Sequence, residues 1–255
     1  MITKLHGEER GQPRGTIQVV RTGRVEYLAA WNLQRALVAA RRQGAVEDLL
    51  LLVEHPPTYT IGRRGSRSNL LIDDAMLASI GATCYVIDRG GDITFHGPGQ
   101  LVVYAILDLG RHQRRVRRYV EMIETVVIDT LRDYGLEGSI DSKHPGVWIG
   151  LEKVAALGIA ISHGVTYHGF ALNVDPDLRY FEYMIPCGIP DRGATSIARQ
   201  TGLAATVDDA ADQVIRSFIR VFDVEPRYDL SLDDLQRLAA SGQSPRADPI
   251  LRTDW

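Results

Sequence analysis

Seven consecutive residues, Asp48 to Glu54 (DLLLLVE), restrict the architecture more than any other stretch of the chain. The apolar residues follow one another without alternation over the length of one strand. That pattern predicts a strand buried on both faces. His55-Pro56-Pro57 then breaks it, because proline removes a donor and fixes φ. Further strands are expected at Thr16–Arg21, Thr58–Ile61, Thr83–Asp88, Leu101–Asp108, Val147–Ile149, Lys153–Ile161 and Thr166–Asn173, and Tyr180–Cys187 reads as extended. Helical spacing marks Val25–Gln43, Val116–Tyr134 and Val207–Phe222, with a short helix at Asp73–Ile80 capped by Asp73. Strands come in runs between a few long helices. The fold class expected is therefore α/β, a mixed β-sheet with packed helices rather than a regular βαβ array.

Composition narrows the function. The chain has 255 residues, 45% hydrophobic and 24% charged, an ordinary globular profile. A net charge of -3 argues against a nucleic-acid surface. No apolar run approaches the roughly 20 residues that span a bilayer. Met1–Gly15 is polar without an apolar core, so no secretory signal is expected. The two cysteines, Cys84 and Cys187, form no CxxC or Cys/His cluster, so neither a metal nor a disulfide framework is indicated. The expectation is a cytoplasmic protein without membrane segment, metal or cofactor, flexible over residues 1–15 and loosely held over 241–255.

Arg89 to Gln100, RGGDITFHGPGQ, sets four glycines between two apolar strands. Glycine lets the backbone approach a ligand closely. Asp92, Thr94, His96 and Gln100 offer polar contacts from the same segment; a tight hairpin turn is the plain alternative. Neither GxxxxGK[ST] nor GxGxxG is present, so no nucleotide phosphate is indicated. Cys187, in IPCGIPDRGATS, is framed by Pro186 and Gly188 and precedes a Thr/Ser pair that could open a helix. Its thiol reads either as a nucleophile activated by a cation or helix terminus, or as a small buried hydrophobe. Cys84, inside ATCYVI, fits the second description.

The 29 basic residues are 26 Arg and only three Lys: Lys4, Lys143 and Lys153. Lys153 opens the apolar strand EKVAALGIAI, where it either snorkels to solvent or pairs with an anion. Facing Cys187, it could stabilise a thiolate and carry protons, which arginine cannot do. Among the histidines, His96 and His168 sit in glycine-bearing motifs and are site candidates. His6, His55, His112, His144 and His163 read as surface or turn residues.

Taken together, RGGDITFHGPGQL (89–101), HPGVWIG (144–150), KVAALGI (153–159), YHGFALNV (167–174) and IPCGI (185–189) with Thr195-Ser196 resemble the octanoyltransferases, the lipoate–protein ligase B family. The resemblance extends over roughly residues 16–222 and implies one catalytic domain over 16–240, with a fold like that of biotin– and lipoate–protein ligases. It implies octanoyl transfer from octanoyl–acyl carrier protein to the ε-amine of a lysine on lipoyl carrier domains, namely the glycine-cleavage H protein and E2 subunits. It also implies a Cys187/Lys153 dyad. Substrate binding maps onto Arg89, Gly90, Gly91, Asp92, Ile93, Thr94, Phe95 and His96, onto Ala156, Leu157 and Gly158, and onto Gly169, Phe170 and Ala171. Phe95 stands where many members have Tyr, and the chain runs about thirty residues beyond the family's C-terminus.

The residues agree with that chemistry. A thioester donor is already activated, so no phosphate loop is needed, and cysteine exchanges with thioesters at little energetic cost. The basic stretches Arg63, Arg64, Arg67 and Arg114–Arg118 read either as steering surfaces for acidic carriers or as solvated faces. Two other readings compete: an ATP-dependent lipoate or biotin ligase, for which GRRGS (62–66) is only a faint echo of an adenylate loop, and a catalytically dead carrier-binding protein, against which Cys187 and Lys153 argue.

Overall fold

Alternate side chains of the DLLLLVE run enter different cores. Leu50 and Leu52 join one apolar cluster, while Leu49, Leu51 and Val53 join a second on the opposite face. The computed structural model describes residues 15–110, 115–142, 144–185 and 192–241. It makes this run β2 (Asp48–Glu54), the third strand of a mixed eight-stranded sheet. Across the sheet lie β11 (Glu225–Arg227), β1 (Thr16–Arg24), β2, β6 (Gln100–Ile106), β10 (Val165–Asn173), β9 (Glu152–Ser162), β8 (Val147–Ile149) and β7 (Ser139–Ile140). The β11–β1–β2 pairings are parallel and the others antiparallel.

Helices α3 (Val116–Asp133) and α5 (Val207–Phe222) cover one face with Ile123, Val127, Val214 and Phe218. Helices α1 (Tyr27–Arg42) and α6 (Leu232–Ser241) cover the other with Leu37, Val38 and Leu235. Asp48, the one acid at the buried start of β2, is neutralised there: Arg41 Nε donates to it at 2.6 Å and the Asp108 amide at 3.0 Å. A buried charge without such partners would be strongly destabilising.

A second sheet of three strands is built from β3 (Thr58–Ile61), with β4 (Thr83–Val86) parallel on one side and β5 (Ile93–His96) antiparallel on the other. Tyr59, Ile61, Phe95 and Met184 fill its core, closed by Leu77 of α2 (Asp74–Ser79). Asp73 caps α2 as expected, accepting from the Met76 amide at 2.8 Å. Ser196 likewise caps α4 (Ile197–Thr201), accepting from the Arg199 amide at 3.1 Å.

Three expectations change. Ile93–His96, read as part of a loop, is strand β5. Residues 180–183, read as extended, lie in a 3-10 helix, Leu178–Tyr183, because Asp177 caps its first turn from the Arg179 amide. Extended backbone resumes only at Met184, which bridges to Leu70. Finally, β11 and α6 were not anticipated. Of the expected flexible start (1–15) and loosely held tail (241–255), residues 1–14 and 242–255 lie outside the described residues, and Ser241 ends α6. Among the described residues no helix is long and apolar enough to cross a membrane.

Candidate active site

Between the α1-side face of the large sheet and the small sheet lies a cavity of about 740 Å³. Its floor follows from strand register. Val102, Ala171 and Ala156 lie abreast on β6, β10 and β9, and Tyr104, Gly169 and Gly158 form the next row. Side chains this small leave volume above the sheet. Arg89–His96 supplies the opposite wall, and Phe181 and Met184 complete the apolar lining.

Of the expected binding residues, Arg89, Gly91, Asp92, Ile93, Thr94, His96, Ala156, Leu157, Gly158, Gly169, Phe170 and Ala171 line this cavity. Gly90 and Phe95 are not among its lining residues. The Gly90 amide donates to Ile159 O at 3.0 Å, which ties the glycine segment to β9. The Phe95 ring stacks on Tyr180 at 4.6 Å within the small sheet's core. Arg89 is buried and its guanidinium is occupied by the fold, with Nη2 donating to Thr60 O at 2.6 Å and Nη1 to Gly90 O at 3.0 Å. Asp92 anchors the same wall through Asn69 Nδ2 at 2.7 Å.

Lys153 stands at the start of β9. Its ammonium lies 4.7 Å from the centre of the Trp148 ring, and the Arg192 guanidinium lies 4.9 Å from the same ring. Such cation–π contacts fix a flexible amine over an aromatic surface. Its backbone is clamped as well: the Lys153 amide donates to Gly193 O at 2.9 Å and Thr195 donates back at 3.0 Å. Cys187 and the rest of residues 186–191 lie outside the described residues. The residues flanking that segment, Ile185 and Arg192, both line the cavity. Cys84 is half-buried on β4, and burial pushes its thiol up to about 11. A thiol of that kind is not a nucleophile at neutral pH.

The polar end of the cavity was only partly foreseen. His55, expected at the surface, is fully buried. Its Nδ1 donates to Val25 O at 2.6 Å, so its Nε2 accepts from the Tyr104 hydroxyl at 2.7 Å. Burial holds its pKa down to about 4. His96 stacks on Tyr27 at 5.4 Å and meets Gln100 Oε1 at 2.9 Å. Burial, then the neighbouring His55 and Arg89, push its pKa well below the ordinary value. Tyr27, Tyr104 and Trp148 also line the cavity, and sequence reasoning missed all three. The signal lay in the motifs already noted: Trp148 inside HPGVWIG, and Tyr104 as the sole hydroxyl in the run LVVYAI.

His168 carries a backbone anomaly. Strand alternation should send Tyr167 and His168 to opposite faces, yet both bond Asp88, Tyr167 Oη donating to Oδ2 at 2.7 Å and His168 Nε2 to Oδ1 at 2.9 Å. The left-handed φ of 57° at His168 makes this possible. For a non-glycine residue that conformation costs about 1–2 kcal/mol and persists only where its surroundings impose it. Trp31 Nε1 also donates to Asp88, at 3.0 Å. Burial alone would raise the Asp88 carboxyl, but the bonds from His168, Tyr167 and Trp31 hold it at about 2.

A helix-covered mixed sheet with a small second sheet is a fold this chain shares with lipoate protein ligases of known structure. Residues 26–219 match the lipoyl protein ligase A/B catalytic domain family. The bi-partite lipoate protein ligase of Thermoplasma acidophilum superposes with a TM-score of 0.69 over 89% of this chain and 91% of that one, a likeness of fold at 16% identity. The octanoyltransferase of Solibacter usitatus is 47% identical over 203 residues, 80% of this chain and 91% of its own. That of Chloroflexus aggregans is 44% identical over 219 residues, 85% and 99% respectively. The chain belongs to the octanoyltransferases of this family and is an acyltransferase.

Proposed function

We propose that this enzyme moves an octanoyl group from octanoyl–acyl carrier protein to the ε-amine of a lysine on a lipoyl carrier domain, of the H protein or an E2 subunit, through a thioester on Cys187. The observation that carries the reading is the apolar cavity edged by Lys153. Burying the methylenes of an octanoyl tail there contributes roughly 0.8 kcal/mol each. Further support comes from Ile185 and Arg192, which bracket Cys187 in the chain and both line that cavity.

In the first step the Cys187 thiolate attacks the donor's thioester carbon. The bond from that carbon to the donor sulfur breaks, and the departing pantetheine thiolate takes a proton from the Lys153 ammonium, leaving octanoyl-Cys187 and a neutral Lys153. Lys153, as an ammonium, stabilises the attacking thiolate. In the second step the carrier amine attacks the acyl carbon and gives its proton to neutral Lys153. The carbon–sulfur bond then breaks, regenerating the Cys187 thiolate and an amide. Proton transfer by a positioned group of this kind contributes about 10²–10⁴ in rate.

Mass spectrometry of the full chain after incubation with octanoyl–acyl carrier protein tests the reading. The expected result is one octanoyl group on the Cys187 peptide, discharged on adding a lipoyl domain. No adduct on Cys187, with octanoylated carrier still formed, overturns the thioester route. Carrier modified only when free octanoate and ATP are supplied overturns the donor.

A further inference from the structure

Along β9 alternate residues divide between the two faces of the sheet. Ala156 and Gly158 turn to the cavity, while Ala155, Ile159 and Ile161 turn to the cluster under α3 and α5. Continued unbroken, that alternation would send Val154 to the cavity and Lys153 towards the helices. The reverse is found: Val154 packs with Ala155 in the helix-side cluster, and Lys153 lines the cavity. The cause is an irregular pairing with β8. Val147 lies opposite Ala155, but the next residue, Trp148, lies opposite Lys153. Strand β9 therefore carries one extra residue there, a bulge of the kind that re-aims a side chain.

The bulge turns Lys153 onto a surface that is itself held in place. Trp148 is buried and lines the cavity. Its Nε1 donates to His144 O at 3.1 Å, which orients the indole. His144 Nδ1 donates in turn to Asp141 at 2.9 Å, and the same carboxylate pairs with Arg192, whose guanidinium lies over the ring. Gly146 clears the path of the lysine stem: a Cβ there would lie 3.2 Å from Lys153 Cδ and 3.1 Å from Cε. His144, Gly146 and Trp148 all belong to HPGVWIG, a motif to which the two acyl-transfer steps assign no task.

We propose that Trp148 is a positioning residue for Lys153, holding its ammonium at the cavity edge where the bulge has turned it. A lysine head on a flexible four-carbon stem spreads over many orientations, and a ring face selects among them. Misplacement of a reacting group by about 1 Å costs on the order of 10²-fold in rate, so a ring that aims the amine contributes to turnover through Lys153 alone. The inference rests on the acyl-transfer reading above and adds to it the residue that aims the proton carrier.

The test measures kcat and KM for transfer from octanoyl–acyl carrier protein to a lipoyl domain, using the full chain as native enzyme, Trp148→Phe and Trp148→Leu. The leucine variant is expected to lose at least about tenfold in kcat at unchanged KM for both carriers, and the phenylalanine variant, which keeps a ring face for the ammonium, to stay within about threefold of native. Equal kcat in the two variants overturns the proposal. A raised KM at native kcat also overturns it, because the ring would then be acting on substrate rather than on Lys153. A second measurement does not depend on turnover. Three lysines in the whole chain make selective 13C-lysine labelling readable by NMR, with Lys153 assigned by its loss in Lys153→Arg. In the native enzyme the ring current of Trp148 is expected to move the Lys153 ε-protons upfield of the free amino acid, a shift that vanishes in Trp148→Leu. An unshifted Lys153 signal in the native enzyme overturns the proposal even where the variants fail to fold. Absence of transfer from octanoyl–acyl carrier protein by the native enzyme overturns the acyl-transfer reading itself.

Discussion

Asp88→Asn isolates the carboxylate on which Trp31, Tyr167 and His168 converge. The substitution keeps the shape and removes the charge. Its cost can be worked in two ways. The carboxyl sits at about 2 against an ordinary 3.8. That difference converts to roughly 2 kcal/mol at pH 7, once solvent at a partly exposed side chain is allowed for. Alternatively, three hydrogen bonds to an ionised acceptor each weaken by about 1 kcal/mol when the acceptor becomes neutral, an upper bound near 3 kcal/mol. Urea unfolding at pH 7 should therefore show a midpoint shift equivalent to about 2–3 kcal/mol with an unchanged slope. A carboxyl held below its unfolded value stabilises the protein above pH 3.8, and that contribution is lost as pH falls through about 2. The gap between native and variant should accordingly narrow in acid. A variant matching the native midpoint at pH 7 would refute the claim that Asp88 holds His168 in its strained conformation.

Other expectations follow from the same geometry. Cys187→Ala should abolish transfer with unchanged unfolding, while Cys84→Ala, on a half-buried strand, should cost under about 1 kcal/mol and keep activity; equal losses of activity in the two would contradict the assignment. Lys153→Arg should still acylate Cys187 in part but lose about 10²–10⁴ in transfer to the carrier, read by single-turnover mass spectrometry; full transfer would reduce Lys153 to an electrostatic partner. A Cβ on Gly169 would lie 2.2 Å from Val103 O, so Gly169→Ala should destabilise by about 3 kcal/mol; on Gly158 it would meet Arg89 Cδ at 2.6 Å, so Gly158→Ala should cost less and favour shorter acyl donors. Those costs are measured by urea unfolding, and the reverse order would sink the argument. With His55 at about 4 against 6.5, its stabilisation is complete above pH 6.5 and lost as pH falls through about 4, roughly 3 kcal/mol in all; a flat stability profile across that window would exclude it.

What could be read from the chain was what local pattern controls. An unbroken run of five apolar residues, Leu49 to Val53, has few solutions, and β2 took the expected one. Asp73 and Ser196 cap helices because their side chains answer backbone donors a few residues away. The misread residues answer to partners distant in sequence. His55 looks like part of a proline turn, and its burial is made tolerable by Val25 O, 30 residues before it, and the Tyr104 hydroxyl, 49 residues on. Phe95 sits in a glycine-rich stretch that suggests ligand contact, yet its ring is claimed by Tyr59, Tyr180 and Phe181. The left-handed turn at His168 has no local cause, since it is imposed by Asp88 and Gln34 from other elements.

The parallel pairing of β1 with β11 also dictates an order of events during synthesis. Thr16, Ile17 and Gln18 find their outer partners at Glu225, Pro226 and Arg227, more than two hundred residues later. Until the ribosome has released β11, the first strand it made has one row of amides and carbonyls uncovered, beside Ile17 and Val19. An open strand edge next to apolar side chains is the surface on which nascent chains pair wrongly with one another. Among the described strands, the last to emerge therefore closes the edge that the first one opened, and Pro226, which has no amide to donate, then ends that edge against further pairing.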